Sequence, residues 1–266
     1  MRREIIVSSL LSIFLLSPCG SVQQSAAAQQ TPPVLQGALN ALTGGTAVAD
    51  VTLAGTARRI AGSDNETGTA TLKALATGES RMDLSFASGP RSEVRASSSA
   101  AADAAGSWSA ADGVWHPIAN HNLFADSSWF FPAFTIGRLA SSASYVLSYV
   151  GQETRNGQAV VHVTASQQFT GIPAAQAPLF QHLSQMDIFL DAATLLPAAL
   201  LFNTHPDNDA GLDIPIEIRF SDYRAVNGVH TPFHVQKYLN NGLVLDLHIN
   251  TVNLNTGLSA AAFSVP

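Results

Sequence analysis

His230 and His234 stand four residues apart, the spacing at which a helix presents two ligands to one zinc ion. Their segment, residues 229–239, alternates apolar and polar side chains and contains Pro232, which makes it a strand. On a strand, residues four apart are separated by about 13 Å, too far to share an ion. The glutamate that a zinc protease needs beside the first histidine is also missing. Asp207, Asp209 and Asp213 around Gly211 echo a calcium loop, but the glycine comes one position early and Ile218 stands where the bidentate glutamate belongs. Neither set is expected to hold a metal. The chain has no Gly-x-Ser-x-Gly elbow, no phosphate-cradling glycine loop and no dinucleotide fingerprint. No cofactor and no catalysis are expected. What remains is an aromatic cluster, Trp129, Phe130, Phe131 and Phe134. Such a cluster is either ordinary core or a lid whose rings line an apolar ligand pocket, and its irregular sequence favours a movable element.

The elements that must position these residues are mostly strands. Val229, Thr231, Phe233, Val235 and Leu239 share one face of their segment, and Lys237 alone interrupts it. Ile214, Ile216, Ile218 and Phe220 repeat the pattern before it, and Leu243, Leu245, Leu247 and Ile249 repeat it after. Short alternating runs lie at 48–58, 67–75, 79–87 and 91–96, separated by turn-forming residues. Asn156-Gly157 marks a hairpin within 145–166, and further strands fall at 186–191 and 196–204. A helix is predicted over 33–42, stopped by Gly44-Gly45, and a short one within 173–183. The Ala/Ser-rich stretch 97–111 reads as a surface loop, and Pro132 would break or kink any helix that crossed it. The sum is a mainly β chain of roughly ten or eleven antiparallel strands with two or three helical pieces.

The formal net charge is -6, only 12% of residues are charged, and Lys73 and Lys237 are the only lysines, so a nucleic-acid partner is not expected. Arg2 and Arg3, an apolar run over 5–16, and Ala26 and Ala28 read as an export signal over 1–28, followed by a single domain over 29–266. Cleavage after Ala28 would remove Cys19, the only cysteine. The competing reading is lipidation of Cys19, although Pro18 fits a lipidation box badly. Either way the protein is expected outside the cytoplasm, in the periplasm or anchored to the outer membrane.

Asp191-x-x-Thr194-x-x-Pro197, Tyr223-Arg224-x-Val226-Asn227-Gly228-Val229-x-x-Pro232, Val252-Asn253-x-Asn255 and Phe263-x-x-Pro266 follow in order over some 75 residues. In this set the chain resembles the LolA/LolB-like superfamily of periplasmic outer-membrane lipoprotein-sorting proteins. The resemblance implies a half-open antiparallel β-barrel with helices covering its mouth, and a non-catalytic carrier or receptor. Its partner would be a lipid or an acylated lipoprotein held in an apolar cavity, with a transient envelope protein as a further partner. The alternative is an interaction or structural module of the envelope, its core filled by its own helices.

Overall fold

The structure, a computed structural model, describes residues 33–96 and 105–266. The export signal over 1–28 and Cys19 lie outside the described residues, as do residues 97–104 of the Ala/Ser stretch.

Helix α1 (Pro33–Thr43) ends at Gly44 and Gly45, both in the left-handed region that glycine adopts without strain. Six strands follow: β1 (Asp50–Ala61), β2 (Asp64–Leu75), β3 (Ser80–Phe86), β4 (Gly89–Ala96), β5 (Ala105–Ser109) and β6 (Trp115–Pro117). A 3₁₀ turn (Asn120–Phe124) and helix α2 (Pro132–Ser141) lead to β7 (Tyr145–Arg155) and β8 (Gln158–Gln167). Helix α3 (Ala177–Leu183) precedes β9 (Met186–Asp191), β10 (Pro197–Thr204), β11 (Ile214–Val226), β12 (Val229–Leu239) and β13 (Gly242–Leu254).

All thirteen strands form one open antiparallel sheet in the order β6-β5-β4-β3-β2-β1-β13-β12-β11-β10-β9-β8-β7. It consists of two meanders joined where β1 pairs β13. The two free edges, β6 and β7, are therefore consecutive in sequence. The connection between them, residues 118–144, has to travel from one edge to the other, and it carries the aromatic cluster and α2.

Period-two alternation sorts the side chains onto two faces. Leu53, Leu72, Ile188, Leu200, Val235 and Leu247 share one core with Leu35 and Leu42 of α1 and with Phe130, Phe131 and Phe134. On the other face, Val160, Phe189 and Ala199 form a smaller cluster beneath Arg155, whose guanidinium lies 4.1 Å from the Phe189 ring centre.

Two expectations need correction. The stretch 97–111 is not all loop: residues 105–109 form β5, paired to β4 from Ser92↔Ser109 to Ala96↔Ala105. Alanine, serine and glycine carry too little hydropathy contrast to show alternation, yet Ser107 and Ser109 are buried on one face while Trp108, opposite Glu93 on the inner face, is half-exposed and stacked on His116. With β5 and the short β6, the described residues hold thirteen strands rather than ten or eleven. No helix crosses Pro132, as expected; it opens α2, in the first turn, where its missing N–H costs nothing.

Candidate functional site

The inner face of the sheet is covered by α1, α2, the 3₁₀ turn and α3. Asn122 fastens the turn to the end of β10: its Nδ2 donates to the His205 carbonyl at 2.8 Å, and its Oδ1 accepts from the His205 N–H at 2.9 Å. Phe124 meets Phe169 and Phe180 edge-on, with ring centres 5.3 Å apart in both cases, which ties the turn to α3. Asp126 organises the entry to α2. Its carboxylate accepts from the Ser128 N–H at 3.1 Å, from the Ser128 and Thr135 hydroxyls, and from the Arg138 guanidinium. Burial raises the Tyr145 phenol above its ordinary value beside this group.

Two solvent-reachable cavities of about 250 Å³ each flank this hub and share Arg95, Ala125 and Asp126 as a wall. One continues to Leu139, Tyr145, Ala165 and Met186. The other is bounded by Trp129, Phe202, Ile216, Glu93 and Lys237. Their lining is mixed, because charged side chains project from an otherwise apolar face. Glu93 and Arg95, two apart on β4, form an ion pair at 2.8 Å. Lys237, the residue that interrupts the apolar face of β12, places its ammonium 4.9 Å from the Trp129 ring centre. Burial pushes this ammonium below the ordinary lysine range, against the pull of Glu93 and helped by Arg95. For Glu93, burial alone would raise the carboxyl, but Arg95 first and Lys237 second hold it below its ordinary value.

The four aromatic residues singled out in the sequence lie together and are buried, none more than 4% exposed. Trp129 and Phe130 meet edge-on at 5.6 Å, and Phe131 and Phe134 at 4.8 Å. Of the four, Trp129 reaches a cavity wall, while the three phenylalanines fill the space between α2 and the sheet. Glu93, Arg95, Asp126 and Arg138 were not singled out by sequence reasoning. The signal available for the first two was a pair of charges spaced two apart on a strand.

The histidines and aspartates settle elsewhere. His230 Nδ1 lies 2.8 Å from the Ala41 carbonyl, whereas His234 Nε2 lies 2.6 Å from Asp246, so the two histidines share no site. His234 instead stacks on His248 from the neighbouring strand, ring centres 4.3 Å apart. Asp209 caps its own turn by accepting from the Gly211 N–H at 2.9 Å, and Asp213 sits between His182 and His205 at 2.9 and 3.0 Å. Among the described residues, His182/His205/Asp213 and His234/Asp246/His248 are the groups whose ligand atoms lie close enough to hold a metal. His182 and His205 both hydrogen-bond to Asp213, and His234 to Asp246, while His205 Nδ1 is buried without a hydrogen-bond partner and His248 Nε2 stands 3.8 Å from Asp246.

No protein-family model matches the sequence, and no curated protein sequence matches it either. Solved structures do. A domain provisionally named as an outer membrane lipoprotein-sorting protein, from Vibrio parahaemolyticus, aligns over 87% of this chain and 95% of its own at 15% identity and a TM-score of 0.55. A DUF1329 family protein from Desulfovibrio piger aligns over 89% and 98% at 14% identity and a TM-score of 0.52. A LolA superfamily protein from Nitrosomonas europaea aligns over 88% and 97% at 11% identity, with a TM-score of 0.49 that falls short of a common fold by itself. Among the described residues no helix is long and apolar enough to cross a membrane. At these identities the likeness is one of fold alone: a half-open antiparallel sheet with helices over its inner face, shared with the lipoprotein-sorting domain and the DUF1329 protein.

Proposed function

We propose that this protein is an exported, non-catalytic carrier or receptor of the cell envelope that binds a lipid or an acyl chain of a lipoprotein. In this reading residues 1–28 are removed on export and residues 29–266 act as one unit. The observation that carries it is the path of residues 118–144. A single connection spans the open side of the sheet, fills it with Phe130, Phe131 and Phe134, and leaves solvent-reachable cavities on both sides of its Asp126 hub. An acyl chain entering from either cavity would displace α2 and take the place of its aromatic rings. Lipoprotein sorting in a similarly folded protein is consistent with such a role.

A specific observation favours a second reading. The inner face is already largely filled by the protein's own helices, as an interaction module would require. Native mass spectrometry of the protein purified gently from an expressing bacterial envelope separates the two. A co-purifying lipid or acyl mass supports the carrier. A clean apo mass that persists after incubation with mixed envelope lipids refutes it in favour of the interaction module.

A further inference from the structure

Lys237 is a half-buried charge on an otherwise apolar sheet face, a placement lysine seldom adopts. Lys237 lies between Val235 and Leu239 on β12, opposite Ile218 and Leu245 on the flanking strands, with its ammonium in the cavity over Trp129. Among the described residues no carboxylate approaches its nitrogen to within 4.0 Å. The nearby acids are committed or remote from it. Glu93 is paired with Arg95, Asp126 is held by Arg138, and Asp207 is exposed at the rim. The cavity therefore contains one cation without an ion-pair partner, and this cation adjoins Phe202, Ile216 and the indole of Trp129.

The geometry points to a site for the carboxylate of an ionised fatty acid: we propose that the Lys237 ammonium pairs with this head group while the acyl chain runs beneath α2. The proposal rests on the carrier reading above and narrows it to a free acid. A single unpaired cation matches a single negative charge. A dianionic phosphate head would leave one charge uncompensated beside Glu93, and an ester-linked acyl chain would bring no charge at all. Arg95 shapes the far wall; its Nη1 is engaged with the Asn122 carbonyl at 3.1 Å and its Nε with Glu93.

The test compares hexadecanoate, monohexadecyl phosphate and hexadecan-1-ol, titrated at pH 8 into the wild-type protein and into Lys237→Met and Lys237→Arg. Methionine retains the apolar stem, and arginine retains the charge. Wild type should prefer hexadecanoate to the alcohol by tenfold or more, Lys237→Met should lose that preference while still binding the alcohol, and Lys237→Arg should keep most of it. Equal affinity of wild type for acid and alcohol would overturn the head-group site and leave the carrier intact. So would an acid preference that survives in Lys237→Met, or a stronger preference for the phosphate. Failure of wild type to bind any of the three would overturn the carrier reading and this proposal with it.

Discussion

Replacing Gly137 with alanine should make the protein more stable and a poorer ligand binder. Gly137 lies mid-way along α2 with ordinary helical backbone, and a methyl group added there would meet Leu39 Cδ1 of α1 at 3.8 Å, a contact distance with no clash. Two effects follow, and they separate. Alanine is favoured over glycine inside a helix by about 1 kcal/mol in any state where α2 remains helical. The methyl contact with Leu39 contributes up to about 0.8 kcal/mol, and only while α2 stays docked on α1. Global stability thus gains roughly 1–2 kcal/mol, a rise in melting temperature of about 3–6 °C for a chain of this size. If a ligand enters by lifting α2 as a rigid helix, only the second contribution opposes it, and 0.8 kcal/mol is a roughly fourfold loss of affinity. Thermal denaturation and titration with a fluorescent fatty-acid probe measure the two quantities on the same sample. A higher melting temperature with unchanged affinity would refute the idea that α2 leaves α1 on binding. A lower melting temperature would refute the packing argument itself.

The same opening sets a chain-length threshold. Phe130, Phe131, Phe134, Ile136 and Leu139 are buried, and uncovering them costs about 8–15 kcal/mol at 1.5–3 kcal/mol each. At about 0.8 kcal/mol per methylene, an acyl chain needs roughly 10–19 carbons to offset that, so octanoate should not bind and affinity should climb with chain length across that range, as calorimetry would show. Asp50 accepts four hydrogen bonds, from Thr256 N and Oγ1 at 2.8 and 2.9 Å, Gly257 N at 2.8 Å and Leu258 N at 3.3 Å. Burial would raise its carboxyl, but these donors hold it below its ordinary value, so its stabilisation is present above about pH 4 and is lost as pH falls through the lower folded value. Asp50→Asn should cost about 1–3 kcal/mol for each amide left unpaired and flatten the acid end of the stability–pH curve, measured by urea unfolding. Gly55→Ala should act opposite to Gly137→Ala, because its Cβ would lie 2.0 Å from the His248 carbonyl oxygen where the β1–β13 register shifts. That overlap forces the strands apart at a cost of about 1–3 kcal/mol or more, and amide exchange along β13 should accelerate. Unchanged exchange would count against the close approach.

Much of the sheet is legible in the sequence because most strands have one face in the core and one in water. The three strands after residue 213 alternate cleanly and form the pairs expected. The hairpin at Asn156-Gly157 follows from two residues that adopt positive φ. β5 was hidden because serine and alanine look alike to a hydropathy pattern whichever way they point. The site was less legible for a different reason. Lys237 announces itself as a charge on an apolar face, but its environment comes from Trp129 and from Glu93 and Arg95, brought together by covering elements and by a strand in the other meander. Likewise, within-strand spacing rules out His230 and His234 as a pair, yet carries no information on His248, which a register across two strands places on His234.

The seam between β1 and β13 has a kinetic consequence. Every other strand pair in the sheet is a neighbour in sequence or nearly so, whereas Val51↔Leu254 joins positions about 200 residues apart. Loop closure over such a distance is slow, so each meander should assemble locally and the seam should form last. As the chain emerges from the ribosome or a translocation pore, β1 is made early and its partner late, leaving a sheet edge open throughout that interval. The period of greatest aggregation risk for this protein is therefore set by the time needed to deliver its final strand.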